Sequence, residues 1–550
     1  MLLRKIPIMQ TEHSIRRPVA ARRALERRQK MLALGILLAL GIAGVLALLL
    51  VSCGSGSITP VSPPPAAMVQ PLQVADVQKI VQAAVNSVNA DMVVAVVDRA
   101  GFVLGVFRTQ NAPAMAIGNF GQMLDANDVA VGLARTGAFF SNDQAPLSSR
   151  TVRFISGIHF PPGVTNQPPA DLYGIENTNR GCTLVNSAVF QNQIPPSLAL
   201  GGGFGPGILT GKADAMDSNP LTVNPGGVPI FYQNVVVGGI GVVTSSNDPN
   251  VAEYAAFAGS TSQRTGPSDS FGPTPAAPGV VFIGGVALPF ITQATLPAGI
   301  SAGPVAGVGS FLVAPANSAG QPPEGDLITP VAGPLGGLSA ADVQGILENA
   351  EATANLTRAA IRLPIGSRTR MVIAVADLDG TIIGLRRMQD STMFSVDVAA
   401  SKARNMVYFN SSARAAGDLN NVPMGTAVTN RTISFGAQPF FPPGIDGSAA
   451  GPFFNIFLQD LANPCTQGLQ AGPPNVNKSG IVFFPGSAGL YRSGTLVGGL
   501  GVSGDGVDQD DYVTSGGTKG FEAPANIRAD QISINGVRLP YFKFPRNPTD

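Results

Sequence analysis

One pattern occurs twice in this chain, in the same order, over about 200 residues each time. Leu72-Gln-Val-Ala-Asp76 opens the first copy and Leu338-Ser-Ala-Ala-Asp342 the second. Met92–Asp98 followed by Gly101 matches Met371–Asp377 followed by Gly380, and both stretches close on arginine, Arg108 and Arg387. Asp128 with Arg135 matches Asp397 with Arg404, Phe160-Pro-Pro-Gly163 matches Phe441-Pro-Pro-Gly444, and Val237-Gly-Gly-Ile-Gly-Val242 matches Val497-Gly-Gly-Leu-Gly-Val502. A repeat this long is a doubled domain rather than a solenoid unit. The units run over 71–300 and 338–550, each ending in a hairpin marked by Gly284-Gly285 or Asn535-Gly536, and the Gly/Pro-rich segment 301–337 links them.

Local patterns sketch one unit. Val74, Val77, Val81, Val85 and Val88 have helical spacing, and Asp342 suits a helix start in the second copy. Residues 92–98 and 102–107 read as two strands joined by the turn Asp98-Arg-Ala-Gly101. Residues 127–140 and 396–409 read as helices rich in small residues. Residues 235–243 and 496–503 read as strands whose glycines imply close backbone approach. Strands joined by tight turns run antiparallel, so each unit is expected to be an antiparallel sheet with helices packed on it.

Charge is sparse and uneven. Charged residues are 13% of the 550, against about 25% in an average soluble protein. The net charge of +1 excludes an overall polyanion-binding character, and no basic aromatic surface suggests nucleic acid. Residues 1–30 form a basic cytoplasmic n-region with nine Lys/Arg and two acids. Met31–Val51 is uncharged and long enough to cross a bilayer as a helix. It ends in Leu50-Val-Ser-Cys53, which resembles a bacterial lipobox whose Cys53 would carry lipid; the alternative is an uncleaved signal anchor with Cys53 incidental. Either way the expected location is the cell envelope, outside the cytoplasm and held at the membrane by lipid or by the N-terminal helix. Residues 54–70 are a Ser/Pro-rich stalk. The other two cysteines, Cys182 and Cys465, fall at matching places in the two copies, and either a disulfide between them or two free thiols is compatible with an oxidising compartment.

The strings VVAVVDRAGFVLGVFR, DVAVGLARTGAFF and VGGIGV resemble the GlcG/HbpS-like family of haem-associated α+β domains. In the second copy VIAVADLDGTIIGLRRM, AASKARNMVYF and VGGLGVSGDGVDQDD resemble it more closely. The resemblance implies an α+β chain. Two copies of a profilin-like three-layer domain, each with a five-stranded antiparallel sheet and packed helices, would follow the N-terminal hydrophobic helix. It also implies homo-oligomer formation, and haem as a candidate cofactor, bound or degraded. The loops at 155–230 and 436–490 are extra relative to the compact family domain.

Haem needs an axial ligand, commonly His, Cys, Met or Tyr. His159 is the single histidine beyond the N-terminal region, and its counterpart in the second copy is Phe440, so a His-ligated site cannot be shared by both units. Arg135 and Arg404 recur on a helix, and Arg150 and Arg431 recur before the Pro-Pro loop. A guanidinium suits carboxylates such as propionates or small organic acids; it can equally tie a loop to backbone carbonyls. Asp505, Asp508, Asp510 and Asp511 are close enough to consider for a hard cation, but they also suit a helix start, where acids are favoured without metal. Glu348 and Glu351 share one helix face, resembling a surface iron-binding pattern of the family, and are otherwise two solvated glutamates. No zinc spacing, phosphate-binding loop or nucleophile elbow is complete.

The reading is an envelope-anchored protein that binds a small ligand, haem or another tetrapyrrole being the candidate the resemblance implies. The alternatives are a non-catalytic structural or assembly protein of the envelope, and a haem-degrading or redox enzyme. The residues carry no catalytic constellation.

Overall fold

The computed structural model describes residues 69–178, 207–266, 269–272, 281–412, 414–463, 465–469 and 478–549. The basic n-region, the apolar run 31–51, Cys53, the stalk up to Met68 and Cys182 lie outside them. Among the described residues no helix is long and apolar enough to cross a membrane.

Residues 69–550 form one compact unit of mixed α and β structure. In its first half, helix α1 (Val74–Ser87) leads into strands β1 (Met92–Asp98) and β2 (Val103–Arg108), then helices α2 (Ala126–Phe140) and α3 (Ser149–Ile155). Strands β3 (Gly227–Tyr232) and β4 (Val235–Thr244), helix α4 (Pro249–Ser260) and strand β5 (Ser310–Val313) follow. Among the described residues the second half repeats this order, except that its edge strand comes first instead of last and it has one more helix ahead of its last two strands. Its elements are β6 (Gly325–Ile328), α5 (Ala340–Leu356), β7 (Val372–Ala376), β8 (Ile382–Arg387), α6 (Phe394–Phe409), α7 (Asn430–Gly436), α8 (Phe454–Ala462), β9 (Ser487–Arg492), β10 (Thr495–Ser503) and α9 (Val507–Gly517).

Each half contains a five-stranded antiparallel sheet, with orders β5-β2-β1-β4-β3 and β6-β8-β7-β10-β9. The Gly/Pro-rich segment 301–337, expected as a plain linker, supplies an edge strand to each. Ser310 pairs with Arg108 on β2, and Gly325 pairs with Arg387 on β8. The same segment is tied to both hairpin aspartates: Ser318 Oγ donates to Asp98 at 3.1 Å, and the Leu335 and Gly336 amides donate to Asp377 at 3.0 and 2.7 Å. Four-residue strands inside a Gly/Pro-rich stretch have no alternation long enough to read.

The central strands are buried on both faces, and their side chains alternate between two cores. Met92, Val94 and Val96 pack with α1 and α4, whereas Val93, Ala95 and Val97 face α2. In the second half Met371, Ile373 and Val375 join the core under α5, and Val372, Ala374 and Ala376 face α6. The inner faces of both sheets, with α2 and α6 between them, share one continuous core. The glycine motif explains how helix and sheet come so close. A side chain on Gly241 would collide with the carbonyl of Ala130 in α2, and one on Gly501 with that of Ala399 in α6.

Candidate functional site

The halves meet along polar and aromatic contacts besides the shared core. Asn142 Nδ2 donates to Ile361 O at 3.3 Å, Gln144 Nε2 to Leu363 O at 2.6 Å, and Arg362 Nη1 to Gln144 Oε1 at 3.2 Å. Tyr173 stacks on Phe457, and Asn177 Nδ2 reaches Asp460 Oδ2 at 3.2 Å. Beside this seam lies a cavity of about 1000 Å³. The first half contributes the Phe160 loop, residues 167–171, Tyr173 and the ribbon at 281–286; the second contributes the 358–365 loop, α7, the start of α9 and the C-terminal tail.

The wall is apolar with a cationic excess. Phe160, Phe435, Val281 and Ile365 give it hydrophobic surface. Its cations are Arg358, Arg362, Arg431, Lys543 and Arg546, facing the carboxylates of Asp171 and Asp508. Arg362 is committed to Asp505 and Asp390. Burial works against its charge, but the two carboxylates outweigh burial and raise its pKa above the ordinary arginine value. Arg431 is committed to Asp511 and Asp508, and Lys543 Nζ lies 2.8 Å from Asp508. Arg358 and Arg546 differ. Arg358 donates Nη2 to the backbone carbonyl of Arg546 at 3.1 Å, and neither guanidinium has a carboxylate partner among the described residues.

Two buried wall groups also lack hydrogen-bond partners: the Tyr173 hydroxyl and Gln438 Oε1. Such atoms are uncommon in folded proteins. Burial, with Glu176 and Asp217 adding to it, holds the Tyr173 phenol well above its ordinary pKa. Burial and then Asp508 push Asp171 up to about 6, with Lys543 and Arg431 acting against them.

The residues singled out from sequence fall into different places. Arg431 and Asp508 line the cavity. Arg135 and Arg404 instead hold hairpin turns, each donating Nε to a turn carbonyl, Gly101 O and Gly380 O, at 3.0 Å. Burial lowers their pKa values to about 9 and about 10, with nearby aspartates opposing it. Arg150 pairs with Glu253 at 2.7 Å. His159 Nε2 lies 3.1 Å from Asp446 across the seam; its Nδ1 is buried without a partner, and the residue is not part of the cavity wall, although Phe160 is.

The acidic run does not converge on one point. Asp505 faces Arg362, Asp508 and Asp511 face Arg431, and Asp510 faces Lys402. Glu348 accepts from Gln344, and Glu351 pairs with Arg386 at 2.8 Å. Among the described residues no group of three or more His, Cys, Asp or Glu is arranged to hold a metal ion. Cys465 is buried and disulfide-bonded.

Arg358 and Arg546 were missed from sequence. They lie outside every repeated block, and only the docking of the tail beside the 358–365 loop brings them together.

The antiparallel sheet with helices on both faces defines an α+β domain class. Residues 346–519 match the family described as haem degrading protein HbpS-like. Two solved structures are similar in part. One is a PduOC–haem complex, 23% identical, covering 34% of this chain and 96% of that one, with a TM-score of 0.22. The other is Klebsiella pneumoniae protein ORFY, assigned to DUF336, 18% identical, covering 34% of this chain and 90% of that one, with a TM-score of 0.22. No curated protein matches the chain.

Proposed function

We propose that the chain is a tandem of two GlcG/HbpS-like, profilin-like domains that binds a small apolar organic acid at the seam between them. The ligand class is the tetrapyrroles. The observation that carries this reading is the cavity of about 1000 Å³ with Arg358 and Arg546 in its wall, two cations without a carboxylate partner among the described residues. Volumes of this order suit drug-sized ligands, and guanidinium groups suit carboxylates. The tandem reading is supported by the two sheets of matching order. The tetrapyrrole class is supported by the haem-degrading description of the family matched at 346–519.

Haem fits this wall through its carboxylates and not through its iron. Among the described lining residues there is no His, Cys or Met, and the Tyr173 hydroxyl is held as the phenol. His159 is engaged by Asp446. A haemin titration of the purified full-length protein tests the ligand reading. Saturable binding with a shifted Soret band is expected. An unchanged, unsaturated spectrum would leave the scaffold reading in its place, and bleaching of bound haem by a reductant would favour the haem-degrading one.

The same proposal puts the chain on the outer side of a membrane, held by residues 31–51 or by lipid on Cys53. The basic flank and the uncharged apolar run support it. Mass spectrometry of membrane-extracted protein tests it: a lipid-modified N-terminal Cys53 supports the lipoprotein form, and an intact residue 1–52 segment the signal anchor.

A further inference from the structure

The following rests on the ligand reading above and narrows it. We infer that the cavity recognises the carboxylates of its ligand and leaves any metal the ligand carries without a protein ligand, so that iron-free tetrapyrrole acids bind as well as haem.

Three observations converge. First, the cations of the wall outnumber its carboxylates, and of the two with no carboxylate partner among the described residues, Arg358 reaches the backbone carbonyl of Arg546. A pair of guanidinium groups can meet two carboxylates with charge-assisted hydrogen bonds. Second, the described wall offers no imidazole, thiolate or thioether. The histidine nearest in sequence, His159, has its Nε2 against Asp446, and the Asn166 amide donates to the same carboxylate oxygen at 3.1 Å. Freeing that ring would break a contact that joins the two halves. Third, Gln438 Oε1 and the Tyr173 hydroxyl are buried in the wall with unused hydrogen-bonding capacity. An acceptor and a hydroxyl suit a ligand that carries its own hydrogen-bonding groups.

The test compares three probes on the full-length protein: haemin, protoporphyrin IX and protoporphyrin IX dimethyl ester. Haemin and protoporphyrin IX should bind within about threefold of each other, and the diester about tenfold or more weaker, as expected when charge-assisted bonds are lost. Arg358→Ala combined with Arg546→Ala should weaken both acids by about tenfold, with an unchanged melting curve showing that the fold persists. Haemin binding at least tenfold tighter than protoporphyrin IX, with a ligated-iron spectrum abolished by His159→Ala or Tyr173→Phe, would overturn the inference. Equal binding of the diester would overturn it as well. Binding of none of the three would instead sink the ligand reading on which it rests.

Discussion

Phe140, the last residue of α2, stacks on Phe394, the first residue of α6, with ring centroids 4.2 Å apart and planes 10° from parallel. Next to them the Met393 amide donates to Phe139 O at 3.0 Å. This aromatic pair lies inside the core that the two sheets share. Phe140→Ala or Phe394→Ala should each lower stability by about 3–5 kcal/mol, the usual loss for a buried phenylalanine. Because the core is shared, urea unfolding should remain a single transition moved to lower midpoint. Two separated transitions would show that the halves fold independently.

Arg135 and Arg404 have the same task in the two halves, so their removal should have the same consequence. Each holds a hairpin turn through a 3.0 Å bond, and both help to hold down the carboxyl of buried Asp397, which burial drives up. Arg135→Ala and Arg404→Ala should each reduce stability by about 1.5–3 kcal/mol, because a turn carbonyl loses a charged hydrogen-bond donor. Ligand affinity in the surviving folded protein should not change, since neither residue lines the cavity. Calorimetry and ligand titration of the two variants check both statements.

Lys402 and Asp510 are buried together at 3.0 Å, with the ammonium also 4.9 Å from the Phe484 ring centroid. The corresponding position in the first half is Leu133, so the fold does not require a charge there. Burial pushes the Asp510 carboxyl up to about 7, with Lys402 acting against it. Lys402→Met alone should lose about 3–5 kcal/mol, and Lys402→Met with Asp510→Leu should recover most of it. The single variant removes the group that holds this pKa down. Its folded form therefore keeps a proton that the unfolded chain has already lost above about pH 4. Stability should then fall as pH rises from about 4 through 7. Urea midpoints across that range, with the double variant flat by comparison, provide the check.

Asp171 faces the cavity with its carboxyl raised to about 6, first by burial and then by Asp508. Below that pH it is neutral, so the wall has one negative charge fewer toward an anionic ligand. Affinity for protoporphyrin IX should increase as pH falls through 6. The gain should be about threefold, the ~0.6 kcal/mol that a unit charge about 7 Å away contributes at high dielectric. Asp171→Asn should remove this dependence and leave affinity at the low-pH value throughout. Titrations at several pH values with both proteins check it.

Much of the framework was legible because it is repeated and periodic. Strand 92–98 has the bounds expected of it, and the helix expected at 127–140 runs from Ala126 to Phe140. The Gly-Gly-x-Gly-Val motif signalled close approach, and the carbonyls of Ala130 and Ala399 are what approach. Strands β3 and β9 escaped because they follow long loops and carry proline or glycine where alternation would be read. The edge strands escaped for the same reason. Arg358 and Arg546 left no signal, because their proximity is made by tertiary docking of the tail and not by spacing along the chain.

The most direct measurement is a crystal structure of the protein with protoporphyrin IX bound. The account predicts the macrocycle between the Phe160 loop and α7, with its carboxylates on Arg358 and Arg546. A macrocycle held within one half alone, away from both arginines, would contradict it.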